Sequence, residues 1–429
     1  MKKLLIKNGK VISPADGLNG ELDILVIDGK IEEIGSELED KEAEIIDAAG
    51  KVVTPGLIDM HVHLREPGFE HKETIETGTK AAAAGGFTSV ACMPNTDPVI
   101  DNASIVESVI NKAEFEGKVN LFPIGSITKK LEGEELSEIG YMNEAGIVGI
   151  SDDGETVMNS EMMRLALDYV KAFDLPVLTH AEDQVLSGDG VINEGYYSTV
   201  TGLDPIPAAA EDIIVARDIR LAELTDSRLH ITHVTTKRAV ELVRDAKERG
   251  VKVTAEVTPH HFTLTDEAVL TFDTNTKVNP PLRSEEDVTA LKEGLADGTI
   301  DAIATDHAPH AFEEKNVEYN YAPFGISGLE TALPLVITEL VKPGIISLEE
   351  AIEKLTINPA QILNLDRGRL KEGSKADITV LDLDEEYEVD VDEFYSKGKN
   401  SPFDGFKLLG RPKATIINGE VVMKDNQVL

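Results

Sequence analysis

The stretch Gly56-Leu57-Ile58-Asp59-Met60-His61-Val62-His63-Leu64-Arg65 decides how this chain is read. Val52-Val53 and Leu57-Ile58 lead into it with the apolar character of a buried strand. Two histidines then follow, two residues apart. Side chains at i and i+2 of a strand point to the same face. His61 and His63 can therefore reach one point together, as two imidazoles on one metal ion do. Taken alone, a His-X-His pair can equally be two hydrogen-bonded structural histidines at a strand end. The remainder of the chain decides between these readings.

Working outward, eight apolar runs read as strands. Leu57–His63 ends at the two histidines, and Thr88–Met93 ends at Pro94-Asn95. Val119–Ile124 follows, and Gly146–Ile150 ends at Ser151-Asp152-Asp153-Gly154. Pro176–Thr179 ends at His180 and Leu229–Thr232 at His233. Val251–Val257 ends at Thr258-Pro259-His260-His261, and Ile300–Ala304 at Thr305-Asp306-His307. Helical patterns lie between them at Glu73–Ala84, Ser160–Phe173, Ala208–Thr225, Thr236–Arg249 and Ser284–Leu295. The first of these closes on Gly85-Gly86, a helix stop signal. Leu329–Leu340 and Ser347–Leu363 are expected as later helices packed outside. Strands alternating with helices imply a parallel sheet, and eight such units close into a barrel.

The two ends read differently. Residues 1–54 form short strands, Leu4–Lys7, Lys10–Ile12, Asp23–Ile27 and Lys30–Ile34, separated by the hairpin-type dipeptides Asn8-Gly9 and Asp28-Gly29. From about Arg367 the strand pattern returns, with Ile378–Leu381 and a hairpin on Asn418-Gly419. The expected fold is α/β: a (β/α)8 TIM barrel over residues 55–366, with a small flanking β-sandwich domain built from both chain ends, 1–54 and 367–429.

Composition agrees with this. A chain of 429 residues has room for one large barrel and one small domain. Hydrophobic residues make up 41% but aromatics only 5%, with no Trp, so the core is aliphatic, as α/β interiors are. Asp plus Glu number 79 against 41 Lys plus Arg, a formal net charge of −38. Such a surface repels nucleic acid and anionic membranes, and both are excluded as partners. The acidic excess is spread along the chain, as a soluble surface or one adapted to high salt would have it. The single cysteine, Cys92, allows no intrachain disulfide and fits a reducing cytosol. Met1–Gly9 lacks the apolar stretch of a signal peptide, and no run approaches membrane-spanning length, so a cytoplasmic protein is expected.

The ten histidines are not scattered. His61, His63, His180, His233, His260, His261, His307 and His310 fall at or just beyond strand ends, while His71 lies in a loop and His230 begins a strand. In a (β/α)8 barrel those ends form the catalytic face. His61, His63, His180 and His233, with Asp306 and either Asp152 or Asp153, can supply two metal ions. Imidazole and carboxylate donors suit Zn²⁺. Two adjacent ions need an anionic bridge, and a bridging hydroxide is a ready nucleophile because a metal lowers the pKa of its water to about 7.

Val53-Thr54-Pro55-Gly56-Leu57-Ile58-Asp59-Met60-His61-Val62-His63-Leu64-Arg65 resembles the opening signature of the amidohydrolase superfamily. Leu64-Arg65-Glu66-Pro67-Gly68, Met93-Pro94-Asn95-Thr96 and Ala304-Thr305-Asp306-His307-Ala308-Pro309-His310 resemble the long, type I dihydroorotases within it. Gly368-Arg369-Leu370, Gly373 and Ala376-Asp377-Ile378 resemble the superfamily's return into its β-sandwich. This resemblance covers essentially the whole chain. It implies that His61, His63 and Asp306 bind one Zn²⁺, that His180 and His233 bind a second, and that Asp153 bridges them. It makes Asp306 the general acid/base. It assigns substrate binding to His63, Arg65, Asn95, Asn279 and His310, with Phe324 and Gly325 closing over the site. His260, His261 and His307 remain as structural or supporting candidates.

The implied reaction is reversible cyclisation of N-carbamoyl-L-aspartate to L-dihydroorotate in pyrimidine biosynthesis. A homodimer is implied, with aspartate transcarbamoylase as a candidate partner. Related hydantoinases and allantoinases use a carboxylated lysine as the bridge, and Gly146–Glu155 here contains no lysine. A non-catalytic scaffold would be expected to have lost ligands, and none is missing. The substrate is anionic and so is the protein, so the site must be locally positive, and Arg65 with the metals supplies that charge.

Overall fold

The computed structural model describes residues 2–429. Eight short parallel segments close into a barrel. Leu57–Val62, Phe87–Cys92 and Asn120–Pro123 form one ladder, and Val177–Thr179, Leu229–Ile231, Val253–Val257 and Ala302–Ile303 form another. Single bridges complete the ring. Ile150 pairs with both Gly125 and Val177, and Val62 pairs with His307 where the last segment meets the first. The fourth segment, expected as a strand over Gly146–Ile150, contributes only the two bridges of Ile150, beside a Val148 N–H donated to the Pro123 carbonyl.

Inside the barrel, Met60, Ala91, Met93, Ile124, Leu178, Ala302 and Ala304 form an apolar plug. A larger core lies between the strands and the surrounding helices. There Leu229, Ile231, Val253, Ala255 and Val257 face outward against Val240, Val243 and Leu291. By strand alternation His230, Thr254 and Glu256 face the barrel interior. The helix Ile75–Ala84 begins at Thr74, whose side chain accepts the Thr77 N–H, a cap worth about 1 kcal/mol. Ala209–Thr225, Lys237–Glu248 and Glu285–Ala296 lie close to their expected bounds.

Several elements differ from the sequence reading. Ala103–Glu116 is a helix that it left out, capped by Asn102 and buried along Val106, Val109 and Ala113; Ile139–Ala145 is another. Leu329–Leu340 shrinks to Ala332–Val336 followed by a π-helical turn at Ile337–Val341. Ser347–Leu363 divides into Leu348–Leu355 and Ile357–Ile362 because Thr356 leaves helical geometry at φ −134°, ψ −84°. Asn8-Gly9 makes no hairpin. Lys3–Ser13 is one strand with an irregularity there, Asn8 adopting φ 62°.

The two chain ends share one nine-stranded sheet. Lys3–Ser13 pairs with Leu18–Ile27, Glu44–Asp47 and Val52–Pro55, and the last of these pairs with Ile378–Glu388 from the other end. Lys407–Ile417 and Glu420–Lys424 extend it. The sheet folds over its own core of Ile6, Val11, Ile24, Val26, Ile378, Val380 and Ile416. Its two turns meet. A Cβ on Gly29 would stand 2.8 Å from the Asn418 carbonyl oxygen, so that position admits only glycine. Val52–Pro55 runs directly into Leu57–Val62, and the sandwich thereby fixes where the first barrel strand begins.

Candidate metal centre and active site

Six side chains from across the chain meet at the C-terminal mouth of the barrel. His61 Nε2 lies 3.4 Å from Asp153 Oδ1 and 3.4 Å from Asp306 Oδ1. His63 Nε2 lies 3.3 Å from Asp153 Oδ2 and 3.0 Å from Asp306 Oδ1. On the other side His233 Nε2 and His180 Nδ1 lie 3.7 and 3.9 Å from Asp153 Oδ1, and 2.9 Å from each other. Asp153 thus turns one oxygen to His63 and the other to the His180–His233 pair. All six are buried.

The adjacent carboxylates divide their roles. Asp152 Oδ1 accepts the N–H groups of Ile127 and Thr128, which anchors a neighbouring loop, and burial raises its carboxyl to about 6 against those donors. Asp153 faces the histidines. Burial alone would raise Asp153 and Asp306. His61 beside both, with His233 at Asp153 and His63 at Asp306, instead holds them well below the usual carboxylate range.

This donor set fits a divalent ion. His61 with His63 and Asp306, and His61 with Asp153 and His233, each bring three potential ligand atoms within 4.8 Å of one another. Among the described residues, the buried His61 Nε2 and Asp153 Oδ1 have no hydrogen-bond partner. Orphaned polar atoms are rare in protein interiors, and two lone pairs left open toward one point suit a cation.

A cavity of about 150 Å³ opens on the cluster. His63, Arg65, Asn95, Asn279, Phe324 and Gly325 line it along with Asp153, His180, His233 and Asp306. Asn95 Oδ1 lies 2.9 Å from His63 Nδ1, and Asn279 Nδ2 donates to Glu182 at 2.9 Å. Arg65, at φ 62°, donates from Nε to the Pro309 carbonyl. Burial lowers its guanidinium to about 10 against the pull of Asp306 and Asp153, which leaves it charged at neutral pH. His310 stands behind the cavity wall. Its Nε2 lies 3.3 Å from Arg65 Nη2 and donates to the Phe324 carbonyl at 2.8 Å. Burial, with Arg65 and Lys315 nearby, brings that imidazole down to about 2, so it is neutral. His261 is a structural residue, between the Thr258 hydroxyl and the Pro280 carbonyl. His307 lies 3.4 Å from the buried Glu73.

Sequence reasoning passed over several residues that shape this site. Glu182 Oε2 lies 3.2 Å from His180 Nε2, and although burial raises its carboxyl, His180 brings it down to about 2. The His-X-Glu spacing after the fifth strand was a readable signal for it. Glu256 lies 2.7 Å from His61 Nδ1. Lys277 donates to the Tyr319 and Asn320 carbonyls, and Lys315 to those of Thr274, Lys277 and Pro323. Asn400, from the C-terminal segment, donates to the Ala308 and Gly325 carbonyls and accepts the His310 N–H. Glu256 and Asn400 lie far in sequence from His61 and Gly325, and no local pattern marks them.

The chain belongs to the amidohydrolase family, which matches residues 52–422. Within that family its relatives include the dihydroorotases of Acetivibrio thermocellus, 57% identical, and Pelotomaculum thermopropionicum, 58% identical; each alignment covers 99% of this chain and 100% of the relative. Among solved structures, the L-hydantoinase (dihydropyrimidinase) of Arthrobacter aurescens matches with a TM-score of 0.90 at 30% identity, over 100% of this chain and 98% of that one. The dihydropyrimidinase of Brevibacillus agri matches with a TM-score of 0.88 at 26% identity, over 100% and 96%. Family membership implies a metal cofactor, and the His/Asp cluster is where it can be held. Among the described residues, no helix is long and apolar enough to cross a membrane.

Proposed function

We propose that this chain is a dihydroorotase, closing N-carbamoyl-L-aspartate to L-dihydroorotate and opening it again in pyrimidine biosynthesis. Relatives at 57% and 58% identity over the full length carry that name. The observation that supports the reading is the convergence on Asp153, whose carboxylate oxygens lie 3.3 to 3.9 Å from the ring nitrogens of His61, His63, His180 and His233.

His61, His63 and Asp306 would hold one Zn²⁺, His180 and His233 a second, with Asp153 between them. Ions held there would lower the pKa of a water to about 7 and polarise the amide carbonyl. In ring opening, Asp306 accepts the proton of the attacking water and returns it to the departing ring nitrogen; closure reverses these transfers. Arg65 holds the substrate carboxylate in paired hydrogen bonds and offsets the repulsion of the acidic protein. Asn95 keeps its amide group for the substrate, because its carbonyl oxygen is directed to His63. Asn279 offers its carbonyl oxygen, since its amide is held by Glu182. Phe324 and Gly325 shut out water, with His310 backing the Phe324 carbonyl.

The proposal extends to a barrel of residues 55–366 flanked by a sandwich of 1–54 and 367–429, and to a cytosolic homodimer with aspartate transcarbamoylase as a candidate partner. The likeness to hydantoinase structures supports a second reading, a hydantoin- or allantoin-cleaving enzyme. An assay on dihydroorotate, hydantoin and allantoin, with metal analysis of the same preparation, separates the two. The proposal expects turnover of dihydroorotate alone. Turnover confined to hydantoin or allantoin would reject it.

A further inference from the structure

Glu256 is a fully buried acid in the barrel interior, on the strand Val253–Val257. One carboxylate oxygen lies 2.7 Å from His61 Nδ1, the other 3.1 Å from His230 Nε2. His230 Nδ1 in turn lies 2.8 Å from the Thr254 hydroxyl. His61 and His230 are themselves 0% exposed. A line of four side chains, Thr254–His230–Glu256–His61, therefore runs up the barrel axis and ends at the cluster.

From this juxtaposition we infer that Glu256 is a positioning residue that orients His61 and, through its negative charge, raises the basicity of that ligand and so the affinity of the metal site. The inference rests on the reading of His61 as a metal ligand. An imidazole has two nitrogens and, when neutral, one proton. A carboxylate accepts but cannot donate, so Glu256 draws that proton to Nδ1. The lone pair then stands on Nε2, which points between Asp153 and Asp306 and has no hydrogen-bond partner among the described residues. His230 donates to the second oxygen, so the buried charge is held from two sides. Burying a carboxylate is costly unless it is fully hydrogen-bonded, and an apolar side chain would fill this space at lower cost. The acid is explained by what it does to His61.

The other cluster histidines are supported differently. His63 has the neutral Asn95 amide behind it, and His180 has Glu182, whose side chain is partly exposed. A charged acceptor raises the basicity of the ligand it holds, and loss of such a partner typically weakens metal binding by about 10- to 100-fold.

The test compares the full-length chain with Glu256→Gln and Thr254→Val. Each is stripped of metal, and its zinc affinity is measured by competition with a chelator alongside the melting point of the metal-free protein. Gln can still accept from His61 and can donate to His230, whose far nitrogen can then donate to Thr254, so the variant should fold. The expected result is zinc binding weakened about 10- to 100-fold in Glu256→Gln, and less in Thr254→Val, with the metal-free melting point nearly unchanged. Wild-type zinc affinity in a folded Glu256→Gln variant would overturn the inference. So would a loss of affinity that merely follows a fall in the metal-free melting point. Failure of the unaltered chain to take up zinc would overturn the metal reading itself, and this inference with it.

Discussion

His61, His63, Asp153, His180, His233 and Asp306 each sit at the end of a barrel segment, whereas Arg65, Asn279, His310, Phe324 and Gly325 sit on the loops beyond. The first group inherits its position from the parallel ladder. Val62 pairs with His307, Ile150 with Val177, and the His63 N–H donates to the His307 carbonyl. The second group is held by side chains that grip backbone carbonyls: Lys277, Lys315 and Asn400 tie 274–277, 308–310 and 319–325 to one another. The centre of the mouth is held by backbone pairing, and the rim by side chains reaching from other loops. Damage to the centre should therefore appear in kcat, and damage to the rim in KM.

The largest effect expected is at the centre. Asp306→Asn should lower kcat on dihydroorotate about 10³-fold with a much smaller change in KM, measured by steady-state kinetics at saturating zinc. Near-normal kcat would remove its acid/base role. At the rim, Arg65→Lys keeps the charge but loses the paired geometry. KM should rise about 10- to 100-fold while kcat is largely spared, the cost of one charge-assisted hydrogen bond. An unchanged KM would take Arg65 out of the site. One step further out, Lys315→Met removes three donations to loop carbonyls. It should raise KM about three- to tenfold and speed hydrogen exchange in 318–325, leaving kcat and zinc affinity alone. The smallest effect is electrostatic. With a net charge of −38, added salt screens the repulsion of an anionic substrate, so KM should fall about twofold between low salt and roughly 0.5 M while kcat holds. A change in kcat instead would mean that the protein's field reaches the chemistry.

The same division explains what could be read in advance. Strand ends carrying His61, His63, His180, His233 and Asp306 follow continuous apolar runs, a signal carried by neighbouring residues. The barrel and the cluster were legible for that reason. Gly146-Ile147-Val148-Gly149-Ile150 looked like the others, but two glycines weaken it and only Ile150 pairs. The choice between Asp152 and Asp153 needed the fold, because it depends on Ile127 and Thr128 capturing one of them. Asn102 followed by Val106, Val109 and Ala113 was a readable helix signal that went unused. Asn8-Gly9 misled because it forms an irregularity inside one strand, which pairs with Leu18–Ile27 on both sides of it. Glu256 and Asn400 were beyond reach from the chain alone: the first meets His61 across 195 positions, the second Gly325 across 75.

The central claim is that this cluster holds metal and that turnover depends on it. Stripping the full-length chain with a chelator, measuring dihydroorotate turnover, and then titrating Zn²⁺ back tests it most directly. Turnover should vanish in the stripped protein and return as zinc is added, reaching its plateau near two equivalents. Full turnover in a preparation shown to be metal-free would contradict it.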